Sequence, residues 1–464
     1  MSARRLHAAL FVLGLVVYGG LAGARLWRPS PAPHFVLQAD AWLHGRAAIA
    51  PPLVGDDWAK VEVVEVRPAA PGEPPRQARG RRLHTRPVFL TTSGEELPLE
   101  RVGARVSVTA YVSFPPAPTL LMLPSALLAG RAGNDVVPTV LLAALILPLA
   151  FAMLRRLAAA GLSERTPRED LWWVVTLAFG SVLFFSAVGG KVWYTAHVAG
   201  VALALGYLWA AIEARRPALA GLLLGLAALT RTPMAFLFPV FLWELGRTLG
   251  GRARFANPAE RRAMLREAAR PLLRFAVPVL ALAVAAALYN LARFGAATEF
   301  GHSYLDVRQQ QQIETWGLFN LRYLARNLAV AFTLLPELPG RPPWVQIGGH
   351  GLALWVTTPI LLTLLWPRRS SPIAGGLWLA VAAVALPTLL YQNSGWVQFG
   401  YRFSLDYLPL LIALLAIGGR PLHRTAKALI VVGVVVNLFG AITFDRLPQF
   451  YRWNGNAYDV VVGH

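Results

Sequence analysis

Apolar runs of bilayer-crossing length recur along this chain, and a water-soluble fold has no interior large enough to hide them all. A helix needs about 20 mostly apolar residues to cross the hydrocarbon core. Runs of that order lie near 7–26, 136–154, 171–188, 193–213, 272–293, 350–366, 374–391, 403–418 and 426–443. The stretch 217–246 is longer but is broken by Thr230-Arg231-Thr232-Pro233. It therefore predicts two short helices that go out and return, with the break at the turn. The periodicity predicts an all-α polytopic membrane protein of about 11 transmembrane helices.

Composition agrees, with 56% hydrophobic and only 15% charged residues in 464 and a mean hydropathy of +0.48. The formal net charge of +20 would point a soluble protein toward nucleic acid. Here the basic residues cluster between apolar runs, at 155–168, 214–216, 247–270, 367–369 and 420–427, as the excess of Lys and Arg in cytoplasmic loops predicts. That pattern, with no nucleic-acid-binding motif beside it, excludes nucleic acid as a partner and sets the N-terminus inside. The first run, behind Arg4 and Arg5, is too long for a signal-peptide core and reads as a retained helix. The absence of cysteine excludes disulfides, a thiol nucleophile and zinc–thiolate sites. No Walker A loop, dinucleotide fingerprint or HExxH pattern is present, and no cluster of His and carboxylates marks a metal site. A divalent metal stays open as a cofactor but without a clear ligand cluster, and no other cofactor is called for.

The chain divides into a first helix and loop (1–56), a β-rich insert (57–112), a multi-span core (113–445) and an outward tail (446–464). In the insert, "AKVEVVEV", "RPVFLTT" and "RVSVTAYV" are β-branched runs between turn-forming residues, which predicts a hairpin or three-stranded appendage outside the membrane. Residues 71–82 read as a mobile Pro/Arg/Gly-rich segment. The stretch 111–130 enters through Phe114-Pro115-Pro116 and predicts a short apolar helix at the outer surface. Arg322 and Arg326 share one face of 320–335, an interfacial helix.

The unusual polar residues gather in the outward segments. Asp40 leaves the first span within the interfacial layer, where a partly desolvated carboxylate is suited to take a proton from a hydroxyl; a helix-capping acid is the plain alternative. "GGKVWYTAH" places Lys191, Trp193, Tyr194 and His197 at an outward helix start, where aromatic anchoring also accounts for the two aromatics. Arg231 lies between apolar helices, and inserting an arginine there costs about 2.5–3.5 kcal/mol, so it needs a partner. A phosphate suits its planar fork, and so does a structural acid. "YNLARFGAATEFGHSYLD" contributes Arg293, Glu299 and His302. "YQNSGWVQFGYRFSLDYLP" contributes Gln398, Tyr401, Arg402 and Asp406, a set of amide, aromatic and charged groups that suits a sugar.

Taken in order, "QADAWLHGR", "FPPAPTLLMLP", "VWYTAH", "GLLLGLAALTRTP", "RFGAATEFG" and "QFGYRFSLDYLP" resemble bacterial membrane glycosyltransferases of the GT-C fold, near the protein-mannosyltransferase (family 39) type. The resemblance runs from the first span to about residue 445. It implies transfer of a sugar from a polyprenyl-phosphate donor to a glycan, lipid or protein acceptor at the periplasmic face of the bacterial inner membrane. By that resemblance Asp40 is the catalytic base, and Arg231, Arg293 and Arg402 contact the donor phosphate. From their outward placement Lys191 is a further donor contact, and Trp193, Tyr194, His197, Glu299, His302, Gln398, Tyr401 and Asp406 line the substrate site. One departure is that Ala41 follows Asp40 where many members pair two acids; Asp56 and Asp57 are the nearby substitutes. A lipid or glycan transporter and a non-catalytic envelope-assembly scaffold are the competing classes. The gathering of polar residues at one surface disfavours transport, and deletion of 57–112 separates an enzyme from a scaffold.

Overall fold

A computed structural model describes residues 2–69, 74–307 and 309–453. The expected tail therefore lies largely outside the described residues, as do 71–73 of the segment read as mobile. Helix α1 (Ala3–Ala22) continues as a 3-10 turn to Trp27, and α2 (His34–Leu43) follows. After the insert come α3 (Thr119–Ala129), α4 (Val136–Ala159), α5 (Pro167–Ala178), α6 (Leu183–Ala187) and α7 (Val192–Ala211). The hairpin expected at 217–246 is α8 (Pro217–Ala228) and α9 (Pro239–Thr248), with Arg231 between them. Then follow α10 (Gly251–Ala256), α11 (Pro258–Phe294), α12 (Gln310–Trp316), α13 (Leu324–Phe332) and α14 (Leu354–Thr357). Last are α15 (Ala374–Leu390), α16 (Leu408–Ile417) and α17 (Arg424–Thr443).

The expectation of about eleven spanning helices is corrected. Among the described residues five helical segments are long and apolar enough to cross a bilayer, at Ala3–Trp27, Val136–Ala159, Val192–Ala214, Pro258–Phe294 and Arg424–Thr443. Apolar runs overcounted them because backbone breaks fall inside the runs. The run at 171–188 stops at Ala178 and restarts as the five-residue α6, with Gly180 and Ser181 in the gap. The run at 350–366 is one turn of α-helix followed by a 3-10 segment from Pro359. Hydropathy reports burial from water and is blind to such breaks.

Contacts fix the direction of each long helix. His7 meets Phe151, and Asn134 donates to the Leu26 carbonyl, so α1 and α4 are antiparallel. Thr139 bonds Thr195 while Arg156 reaches Ile212 and Glu213, so α4 and α7 run parallel. Lys191 pairs with Asp445 just beyond α17. Arg5, Arg155, Arg156 and Arg424 thus share one end of the bundle, and residue 57, Lys191 and the sheet share the other. The insert is a five-stranded antiparallel sheet, ordered β4-β3-β2-β1-β5, not the three strands expected. Its strands are β1 (Trp58–Val66), β2 (Arg76–Arg82), β3 (Val88–Thr91), β4 (Glu96–Pro98) and β5 (Val102–Val112). The arginine-rich 76–82 is a strand paired with β1 and β3, with Arg82 and Arg76 bridged to Glu62 and Glu95. A short parallel pair, β6 (Ile347–Gly348) with β7 (Tyr451–Arg452), ties the chain's end to the 347 loop.

Close approach of α8 to α11 sets the height of the Arg231 turn. Gly221 lies directly against the Phe275 carbonyl, and Gly225 against Leu282; small residues permit such contacts between helices in lipid. A Cβ on Gly221 would overlap that carbonyl oxygen. Gly221→Ala is expected to cost about 1–3 kcal/mol, read as a lower melting temperature in detergent; unchanged melting would contradict this packing.

Candidate functional site

The turn after α8 brings Arg231 against α7 and the 402–406 turn. Its Nε donates to both Asp406 oxygens at 3.1 and 3.3 Å, and its Nη2 donates to Asp406 Oδ2 at 2.9 Å. His197 Nδ1 lies 3.2 Å from Asp406 Oδ1. A carboxylate only accepts, so Nδ1 carries the hydrogen. Asp406 is 1% exposed, whereas the Arg231 side chain is 19% exposed. Burial alone would raise the Asp406 pKa, but the Arg231 charge and the His197 hydrogen bond bring it down to about 2. Arg231 has thus found a structural acid and still presents Nη1 without a hydrogen-bond partner among the described residues.

Arg402 is the second buried cation, 4% exposed. Its Nη1 donates to the carbonyls of Gly395 and Val397. Its Nε is buried with no hydrogen-bond partner among the described residues. Burial lowers its pKa to about 10, opposed by Tyr194 and the acids Asp57 and Asp406 and reinforced by Arg231, so it keeps its charge at neutral pH. Phe403 lies between the two guanidinium groups, with centroid distances of 5.0 Å to Arg231 and 5.5 Å to Arg402. Gln398 builds this turn, accepting from the Arg402 backbone N–H and donating to the carbonyls of His350 and Ser394.

The carboxylate of Asp57 is close enough for its charge to act on Arg402. His34 stacks on Trp58 at 4.1 Å and approaches the Asp56 carbonyl at 2.6 Å through Nε2, which pins the start of β1 to α2. Asp57 there adopts a φ of 62° and accepts a 3.0 Å hydrogen bond from Trp193 Nε1. Burial raises the Asp57 pKa, as does the charge of Asp56, while Trp193 and Arg402 oppose. His302 lies half-buried between Phe114 and Tyr391, each 6.4 Å away. Its pKa is lowered first by burial and also by Arg231, against Glu299.

The structure therefore gathers Arg231, Arg402, His197, Asp406, Trp193 and His302, with Tyr194 beneath Arg402. It places the others in supporting positions. Asp40 is buried on α2, 3.6 Å from His44 and facing the Gly130 turn. Arg293 is fully buried as a strut, donating to Val112 and Asn290 and covering the Tyr289 ring at 4.0 Å. Lys191 is spent on Asp445 at 2.7 Å. Glu299 caps the 301–303 backbone and so positions His302; Tyr401 packs in a core with Val330 and Ala331. Tyr391, Phe403 and His34 were not selected from the sequence, and Asp57 entered only as a substitute, with Asp56, for the missing second acid. The adjacent acids of "GDDW" were the available signal for Asp57. Among the described residues no group of three His, Asp or Glu side chains gathers as a metal site would need.

Removing Asp406 from this pair leaves a half-buried arginine unpaired. Asp406→Ala is expected to cost about 3–5 kcal/mol of stability at neutral pH. Because the folded pKa is depressed, the part of that contribution carried by the ionised carboxylate is complete above the unfolded value of about 3.9 and is lost as pH falls through about 2. Melting curves of the two proteins should draw closer over that window; a variant as stable as wild type at neutral pH would refute the pairing.

No family model matches the chain, and no curated protein matches its sequence. Among solved structures it is similar to the apo oligosaccharyltransferase of Archaeoglobus fulgidus, with 12% identity and a TM-score of 0.39 over 98% of this chain and 57% of that one. It is also similar to the arabinofuranosyltransferase AftD from Mycobacteria, with 15% identity and a TM-score of 0.39 over 97% of this chain and 27% of that one. The chain spans less than two thirds of either protein, and at this TM-score neither similarity establishes a fold family or an activity for it.

Proposed function

We propose that the chain is a membrane glycosyltransferase of GT-C type, near the family 39 protein-mannosyltransferases. It moves a sugar from a polyprenyl-phosphate donor to an acceptor hydroxyl at the outer face of the bacterial inner membrane. The observation that carries this reading is the pair Arg231 and Arg402, two cations around one phenylalanine ring with nitrogens left unpaired, and a carboxylate of raised pKa whose charge acts on Arg402. A phosphate has the oxygens to fill those nitrogens, and guanidinium–phosphate pairs form strong, directional hydrogen bonds. Trp193, Tyr391 and Phe114 offer ring faces for a sugar.

In the reaction, the acceptor oxygen attacks the anomeric carbon while its proton passes to Asp57. The bond from that carbon to the phosphate oxygen breaks, and its electron pair goes to the phosphate. Arg231 and Arg402 hold the charge that develops on this leaving group, a preorganised electrostatic contribution. Asp57 takes the proton-accepting role first expected of Asp40, because it is hydrogen-bonded to Trp193 and its charge is felt at Arg402. Asp40 supports α2, which in turn holds Asp57 through His34.

Purified protein incubated with a panel of polyprenyl-phosphate sugars should release polyprenyl phosphate. Asp57→Asn is expected to lower turnover by about 10²–10⁴-fold, Arg231→Ala to abolish it, and Asp40→Asn to retain it. Since Asp57 must be ionised to act, the wild-type rate should fall on the acid side through an apparent pKa above the ordinary value of about 3.9. Full turnover by Asp57→Asn with loss in Asp40→Asn would return the base to Asp40.

A further inference from the structure

At the opposite, arginine-rich end of the bundle, a crevice of about 300 Å³ opens between the first turns of α5 and α17. It is lined by Arg168, Glu169, Trp172, His423 and Lys427, with Pro421 and Leu422 closing one side. Its volume sits at the low end of the range of about 300–1,000 Å³ for small-molecule sites. Glu169 is already committed: Oε1 accepts from Arg165 and Oε2 from Thr166. The side chains of Arg168, His423 and Lys427 have no hydrogen bond or ion pair among the described residues. Lys427 lies 5.4 Å above the Trp172 ring. The crevice is thus a basic pocket whose one acid is occupied.

What continues from it selects the ligand. Four residues along α17 from Lys427 comes Val431, and Val431, Val435, Leu438 and Ile442 are all exposed. Their spacing of three and four residues places them on one face. Lys427 therefore heads an apolar track running along a membrane-spanning helix. A soluble anion would use the crevice and ignore the track, whereas a phospholipid uses both, with its phosphate among the cations and an acyl chain along α17.

We propose that this crevice binds the headgroup of an anionic phospholipid, with Arg168, Lys427 and His423 holding the phosphate and the exposed face of α17 holding an acyl chain. The site lies at the other end of the bundle from the Arg231 and Arg402 cluster, and it does not depend on the activity proposed for that cluster.

The test is thermal melting of the full chain in non-ionic detergent, titrated with dioctanoyl phosphatidylglycerol, dioctanoyl phosphatidylcholine or inorganic phosphate. Phosphatidylglycerol should raise the melting temperature saturably, and the other two should not. Arg168→Gln with Lys427→Gln should weaken the response at least tenfold. The charge-conserving pair Arg168→Lys with Lys427→Arg should keep most of it, which guards against a folding defect in the neutral pair. Equal responses to phosphatidylglycerol and phosphatidylcholine, or an unchanged response in the neutral pair, would overturn the site. A response to inorganic phosphate matching that to phosphatidylglycerol would overturn the lipid as its occupant.

Discussion

The ion pair between half-buried Arg231 and buried Asp406 holds its end of the molecule together. A guanidinium this far along a bundle carries a desolvation cost that only a well-placed partner offsets. Asp406 supplies that partner from a turn 175 residues away, and His197 orients the same carboxylate from α7. Three segments that are distant in sequence are thereby fixed to one another: the break in the α8–α9 hairpin, the second turn of α7 and the approach to α16. Phe403, directly after Arg402, has both guanidinium groups within 5.5 Å of its ring and so brings the second cation to the same place.

Everything else around the cluster follows from ordinary packing. Glycines on α8 let it lie against α11 and so set where its terminal turn ends. His34 carries the α2 helix into contact with the first residues of the sheet, and the sheet in turn is held to α11 by the Arg293 strut to Val112. The insert is therefore part of the site's architecture: its first residues carry Asp57 to the arginines. A positive φ at Asp57 turns the chain there before β1 begins.

Much of this was legible in the amino-acid sequence. The apolar runs revealed a membrane protein, the Thr-Arg-Thr-Pro break revealed the hairpin, and the charge of Arg231 within apolar surroundings marked a residue in need of a partner. The partner itself was not legible, since Asp406 was one acid among several and nothing local ties it to residue 231. The number of long helices was overestimated because hydropathy does not register Gly, Ser and Pro breaks within apolar runs. Asp40 drew attention by its position after the first span, yet spacing alone did not reveal that α2 would bury it beside the Gly130 turn. Arg293 was read as a phosphate contact from the resemblance and Lys191 from its outward placement; Arg293 bonds the strand end at Val112 and Lys191 the acid at 445.

The central claim is that Arg231 and Arg402 form one phosphate site on the outer half of the bundle. Equilibrium binding of undecaprenyl phosphate to the purified protein tests it without relying on turnover or on knowing the sugar. Saturable binding that Arg402→Gln weakens at least tenfold, while Lys191→Gln leaves it unchanged, is the predicted result. Affinity that is the same in wild type and Arg402→Gln would contradict it.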